Sequence, residues 1–254
     1  MKLYTTSAKT SRKSLHNSTL KISVLRNFVC SVFLLVSSLS FSQDNFSGFI
    51  HPEVSLSIKT ESPWSYSFGI SKKDLAYSNY ENRGRFKNKF KFEGEYIELS
   101  HYTNRKIGTQ GKVSAGIRYR FKETFTGKKD ETRLVQQYAY SKYINRNKIE
   151  HRVRISQRFR ERTSFRARYR FKMEFPLQKV DTTRNELSLI TSTEAVLEFG
   201  KKEKPTLRQR FSAQVSYELF KNTWLDLGLE YRYREYNIKP NVELNLISAV
   251  KISI

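Results

Sequence analysis

The 254-residue chain carries 47 Lys and Arg against 24 Asp and Glu, a formal net charge of +23, with 38% hydrophobic and 28% charged side chains. Such a composition excludes a bundle of transmembrane helices, since each span needs roughly 20 largely apolar residues in a row. Cys30 is the only cysteine, so neither an intrachain disulfide nor a multi-thiolate metal site is available.

In chain order, the first element is an address. Residues 1–42 hold six basic residues and no acidic ones, and Phe28 to Leu39 reads FVCSVFLLVSSL. A basic leader, a short apolar stretch and small residues at Ser40 and Ser42 form the layout of a secretory signal peptide, too short to span a bilayer. Cleavage after Ser42 is expected, leaving 43–254 as one β-barrel domain with a net charge of +17 and no cysteine. Without this leader, a basic chain rich in Tyr and Phe would suggest a nucleic-acid binder. Export argues against nucleic acid as a partner.

From about residue 50 the dominant period is two. Val113, Ala115, Ile117, Tyr119 and Phe121 alternate with polar residues, and Phe165, Ala167, Tyr169, Phe171, Met173 and Phe175 do the same. The stretches 207–219 and 223–235 repeat the pattern, giving each segment one apolar and one charged face. Further strands are predicted at 53–59, 64–71, 85–102, 132–142, 148–159, 186–199 and 241–254. Short polar connections such as Asn145-Arg146-Asn147 and Arg160 to Thr163 join them. This makes eleven segments, with the region from 72 to 102 the hardest to divide.

The strands run to roughly 10–13 residues, longer than the 5–6 usual in soluble sheets and matched to a bilayer when tilted. Their aromatic residues gather near the ends of the apolar faces, as interfacial girdles would require. The expected fold is therefore all-β: a closed antiparallel transmembrane β-barrel in the cell outer membrane. Such barrels have an even strand count, so ten or twelve strands are expected.

At the residue level, the run His151-Arg152-Val153-Arg154-Ile155-Ser156-Gln157-Arg158-Phe159, followed by Phe165-Arg166-Ala167-Arg168-Tyr169-Arg170, resembles the central motif of a known family. That family is the domain of unknown function 2490, predicted outer-membrane barrels common in Bacteroidota. Ala115 to Phe121, Asp130-Glu131-Thr132-Arg133 and Thr193-Glu194 with Arg208-Gln209-Arg210 are similar to it as well. The resemblance implies fold and location and carries no activity. Ile254 stands where such barrels commonly end on an aromatic residue.

If the apolar face meets lipid, the charged face lines the lumen. The ligand-binding candidates on that face are Arg118, Arg120, Arg152, Arg154, Arg158, Arg166, Arg168, Arg170, Arg208, Arg210, Arg232 and Arg234. Acids of the same parity are fewer: Glu150, Glu174, Glu186, Glu194, Glu198, Glu218, Asp226 and Glu230. A three-residue loop near Arg162 would set Arg158 opposite Arg166 and Arg154 opposite Arg170. Like charges about 5.5 Å apart repel by roughly 0.8 kcal/mol even in water. The stripe thus needs carboxylates, water or bound anions. It serves either a structural network or an anion-attracting lumen for small anions or acidic oligosaccharides.

Catalysis would need a nucleophile, a base and an orienting group within reach. After the leader only His51, His101 and His151 remain, and Ser100 and His101 fall on opposite faces of one strand. No metal spacing or phosphate-cradling glycine loop appears, so no cofactor is expected and the chain is not expected to be an enzyme. Basic groups at Lys72-Lys73, Arg83 to Lys91, Lys128-Lys129 and Lys201-Lys202 read as hairpin tips, either solvated or touching outer-membrane lipid headgroups. The expected function is a passive, anion-favouring channel or a structural envelope barrel. The alternatives are a lipid-modifying outer-membrane enzyme and a soluble secreted β-barrel that binds an acidic ligand.

Overall fold

Long alternating segments leave every strand with two unlike faces, and closing them into a ring pairs every edge. In the computed structural model, which describes residues 46–79, 89–177, 186–201 and 203–254, that is what they do. The expected signal peptide at 1–42, with Cys30, lies outside the described residues, as do Arg83 and Lys202. The strands are β1 (Phe46–Lys59), β2 (Trp64–Ser78), β3 (Lys89–Ile107), β4 (Gly111–Phe121), β5 (Glu131–Ile144), β6 (Asn147–Phe159), β7 (Ser164–Pro176), β8 (Leu187–Gly200), β9 (Glu203–Phe220), β10 (Thr223–Arg234) and β11 (Asn241–Ser253). A short helix, α1 (Glu123–Thr126), interrupts the β4–β5 connection, where the sequence pattern gave no helical signal.

Sequence neighbours pair antiparallel all the way round, and the barrel closes between β1 and β11. The count is eleven, which corrects the expectation of ten or twelve strands and of an all-antiparallel ring. Each hairpin reverses direction, so an odd number brings the first and last strands together running the same way. The seam is accordingly parallel, in register from Phe46 opposite Val242 to Ser57 opposite Ser253. A parallel ladder satisfies the backbone as an antiparallel one does. Lys59 N–H donates to the Ile254 carbonyl at 2.7 Å, and Ile254 N–H to that of Ser57 at 2.9 Å. The even-number rule presupposes an antiparallel seam; this barrel does not have one.

The two rims differ. Among the described residues, one carries tight turns, with Asn145 (φ 56°) and Asn222 (φ 64°) in the left-handed conformation that Asn tolerates well; its β7–β8 connection, 178–185, lies outside them. The other carries α1, the turn Arg160–Thr163 and the segment 235–240. Here β3 runs on past β4, whose register with it begins only at Ile97 opposite Phe121. Phe125 of α1 packs on Gly94 of that extension, and a Cβ on Gly94 would overlap its ring. Asp130 holds the connection in place by accepting the N–H of Lys122 (2.8 Å), the N–H of Glu123 (3.0 Å) and the hydroxyl of Tyr119 (2.8 Å).

The burial pattern is inside-out. Glu131 and Asp226 are fully buried and Glu98 nearly so, whereas Ile70, Val153, Ile155, Leu227 and Leu246 on the outer face are each about half exposed. The outer aromatics collect towards both rims: Tyr119, Phe121, Phe159, Phe165 and Phe199 at the helix-bearing end, Trp64, Tyr66, Tyr140, Tyr143 and Phe220 at the turn end. Among the described residues no helix is long and apolar enough to cross a membrane.

Candidate functional site: an arginine-lined lumen

Strand parity delivers the predicted arginines to the lumen. Nine of the twelve line one cavity of about 620 Å³ in the half nearer the helix-bearing rim: Arg118, Arg120, Arg158, Arg166, Arg168, Arg208, Arg210, Arg232 and Arg234. Arg152, Arg154 and Arg170 do not line it and face other partners. Arg154 donates from Nε (3.0 Å) and Nη2 (2.8 Å) to Gln137 Oε1, and its guanidinium lies 5.9 Å from the Tyr102 ring centre. Arg170 donates to Glu150 at 2.6 Å, and Arg152 lies 3.6 Å from Glu194.

The β6–β7 register corrects the predicted cross-strand pairs. Arg158 stands opposite Ser164, Arg154 opposite Arg168 and Arg152 opposite Arg170. The turn at Arg160–Thr163 sets this alignment, which a loop centred on Arg162 would have shifted by two residues. Further like-charged neighbours are Arg118 and Arg133, Arg133 and Arg158, and Arg210 and Arg232. Directly opposed like charges destabilise a sheet unless acids intervene.

Acids do intervene, and each serves several cations. Glu198 meets Arg158, Arg160 (3.5 Å), Arg166 (2.6 Å) and Arg208 (3.1 Å). Glu98 meets Arg118, Arg120 (2.6 Å) and Arg133 (3.4 Å), while Glu131 holds Lys122 (3.0 Å), Arg133 and Arg158 (2.7 Å). Glu243 takes Lys73 (3.0 Å), Arg232 (3.5 Å) and Arg234. Glu194 is shared by Arg210 (3.2 Å), Arg152 (3.6 Å) and Arg168 (3.9 Å).

Glu98, Glu131 and Glu243 were absent from the predicted acidic set. Their signal was present: each has the parity of an inward-facing neighbour, Ser100, Arg133 and Asn245 respectively. Lys73 also changes place. It is not at a hairpin tip but buried in the lumen, 3.5 Å from the centre of the Phe49 ring, because β2 continues to Ser78. Of the other predicted tip groups, Lys91 lies within β3 and pairs with Glu93, while Lys128 sits at the cavity mouth.

The cavity wall presents fourteen Lys and Arg residues and three acids, Glu95, Glu98 and Glu243. Five more carboxylates contact those cations from behind the wall: Glu131, Glu194, Glu198, Glu230 and Glu235. Among the described residues, fourteen cations therefore face eight acids, an excess of six positive charges. At the mouth, burial pushes the Lys122 ammonium below its usual pKa while Glu131 beside it pulls the other way. The N–H of Lys122, with that of Glu123 and the Tyr119 hydroxyl, holds the Asp130 carboxyl below the usual carboxylate range.

The histidines do not gather. His51 lines the cavity, 6.4 Å from Tyr96. On the outer face His101 stacks on Tyr66 and lies tilted against Phe68, while Ser100 on the inner face donates to the Gly69 carbonyl at 3.4 Å. His151, exposed on the outer face, shares a 2.8 Å hydrogen bond with the Tyr169 hydroxyl. Among the described residues no group of three or more His, Cys, Asp or Glu is arranged to hold a metal ion.

A family model with the description "Protein of unknown function (DUF2490)" matches residues 55–243, from within β1 to within β11. No curated protein and no solved structure matches the chain. The match spans well over half of the chain and takes in nearly the whole barrel, so the chain belongs to the DUF2490 family of proteins of unknown function.

Proposed function

We propose that this barrel is exported to an outer membrane, spans it, and favours anions in its lumen. The membrane reading draws on the inside-out burial, with half-exposed aliphatic residues on the outside and charged residues within. Outer aromatic residues gather towards both rims, as interfacial rings do. A soluble sandwich would bury the face that this barrel turns outward.

The observation that carries the anion preference is the excess of fourteen cations over eight acids around one cavity. Rings of guanidinium groups favour anions and grip their oxygens with paired hydrogen bonds.

A structural envelope role is the second reading, and a specific observation favours it: five carboxylates each bind three or four cations, as a self-contained network would. Planar bilayers separate the two. Across a potassium chloride gradient, an anion-favouring lumen gives a reversal potential displaced towards the chloride equilibrium. A purely structural barrel passes no current, and a displacement towards potassium overturns the proposal. Heat-modifiable migration on gels and recovery in the outer-membrane fraction test location; a protein that stays in the soluble fraction refutes it.

A further inference from the structure

We propose that the cavity at the helix-bearing rim is a binding site for one small polyanion, a molecule with two or more phosphate or carboxylate groups, centred on Arg166 and Arg168 of β7. The inference deepens the anion-favouring reading and rests on it.

Arg168 is the pivotal group. It is 7% exposed, lines the cavity, and its buried Nε–H finds no acceptor among the described residues. Its in-register neighbours are Arg154 on β6 and Val196 on β8, so neither flanking strand offers an oxygen at its level. The nearest carboxylate oxygen, on Glu194, is 3.9 Å away, beyond hydrogen-bond distance, and Glu194 is already shared with Arg210 and Arg152. A buried guanidinium left this way is costly unless something supplies the missing acceptor and charge.

Arg168 is not alone. Arg166 is 5% exposed and also has an Nε–H without an acceptor, although its Nη2 reaches Glu198. The same holds for the Nε–H groups of Arg118 on β4, Arg208 on β9 and Arg234 on β10, all on the wall of the same cavity. Five such guanidinium groups thus line one space from four strands, with their Nε–H groups withdrawn behind its wall. Water in that space would hydrate the outward guanidinium nitrogens but would leave the six excess charges in place. Single chloride or phosphate ions would fill little of about 620 Å³, a volume typical of small-molecule sites. A compact molecule carrying several anionic groups answers both the donors and the charge, with guanidinium suited to either phosphate or carboxylate oxygens.

The test is calorimetric titration of the full purified protein in detergent with sodium tripolyphosphate and, separately, with citrate. Saturable binding of about one molecule per barrel is expected for at least one of them; which binds tighter assigns the phosphate or the carboxylate class. Arg168→Gln is expected to weaken that binding at least tenfold. Lys221→Gln removes the same charge from an exposed turn at the other rim and is expected to change it less than twofold. If Arg168→Gln fails to fold, the wild-type protein still decides. Tripolyphosphate or citrate is expected to raise its thermal transition by several degrees where sodium chloride of equal ionic strength does not. Absence of saturable binding to both probes overturns the site, as does equal weakening by the two variants or an equal shift with chloride. Detergent solution needs neither a membrane nor conduction. Anion current without saturable binding would therefore remove the site and keep the proposed function, and binding without current would do the reverse.

Discussion

The two halves of the lumen solve the same electrostatic problem differently. Towards the turn rim, three carboxylates each make a single ion pair: Glu150 with Arg170, Glu174 with Lys172, Asp226 with Lys251. Ser216 adds a 2.6 Å hydrogen bond to Asp226, completing a small closed cluster. Towards the helix-bearing rim, Glu98, Glu131, Glu198 and Glu243 are each spread over three or four cations, and several guanidinium N–H groups lack acceptors. Both halves come from the same alternating strands, so parity alone does not decide how well a lumen is neutralised. What differs is how many cations each carboxylate serves: one in these three pairs, three or four towards the helix-bearing rim, where the shortfall of acids gives the lumen its appetite for negative charge.

Removing a shared carboxylate should hurt most. Glu198→Gln keeps the shape but leaves Arg158, Arg160, Arg166 and Arg208 without their common acid, and a loss of about 3–5 kcal/mol is expected. Denaturant unfolding in detergent measures it, and added tripolyphosphate should restore part of the loss.

Next in size is a purely steric change in the lumen. A Cβ on Gly228 would collide with the Ala213 carbonyl and the Gln214 backbone on β9, so Gly228→Ala should cost about 1–3 kcal/mol. Because it concerns packing rather than charge, its cost should not respond to polyanions or salt. A polyanion-dependent cost there would blur the distinction between the halves.

Glu150→Gln, which breaks a single partnership with Arg170, should cost roughly 1.5 kcal/mol. If it equalled Glu198→Gln, sharing of carboxylates would carry no special weight.

The smallest effect belongs to Asp130. Its folded pKa is depressed, so its contribution to holding the 122–130 connection is complete above the unfolded pKa near 3.9 and fades as pH falls through the lower folded value. Asp130→Asn should abolish that acid-side dependence. Hydrogen exchange at the Lys122 and Glu123 amides between pH 5 and 3 reads it directly.

Much of this architecture was legible in the alternation itself. Every predicted strand is present, and the twelve candidate arginines sit inside because their spacing of two survives from Arg118 to Arg234. The failures have physical origins. β2 carries register shifts between Lys73 and Asp74 and again between Leu75 and Tyr77. These irregularities break the alternation only beyond Lys73, which keeps the inward parity of Ser71; it is the charged run Lys72-Lys73-Asp74 that reads as a tip and ends the predicted strand at 71. Glu131 lies one residue before the predicted start of its strand, at 132, so the alternation of that segment does not reach it. The β6–β7 pairing depended on turn geometry, which composition does not encode. The seam fails for a different reason: the alternation itself counts eleven segments, and only the even-number rule turns that count into ten or twelve and hides a parallel closure.

That parallel seam has a topological consequence. With an odd number of crossings, the start of β1 sits at the helix-bearing rim and the end of β11 at the turn rim. Set in the membrane proposed above, the two ends of the barrel would open into different compartments. A protease or a membrane-impermeant label supplied from one side would then reach a tag before β1 or a tag after β11, but not both. An even-stranded barrel would offer the two together.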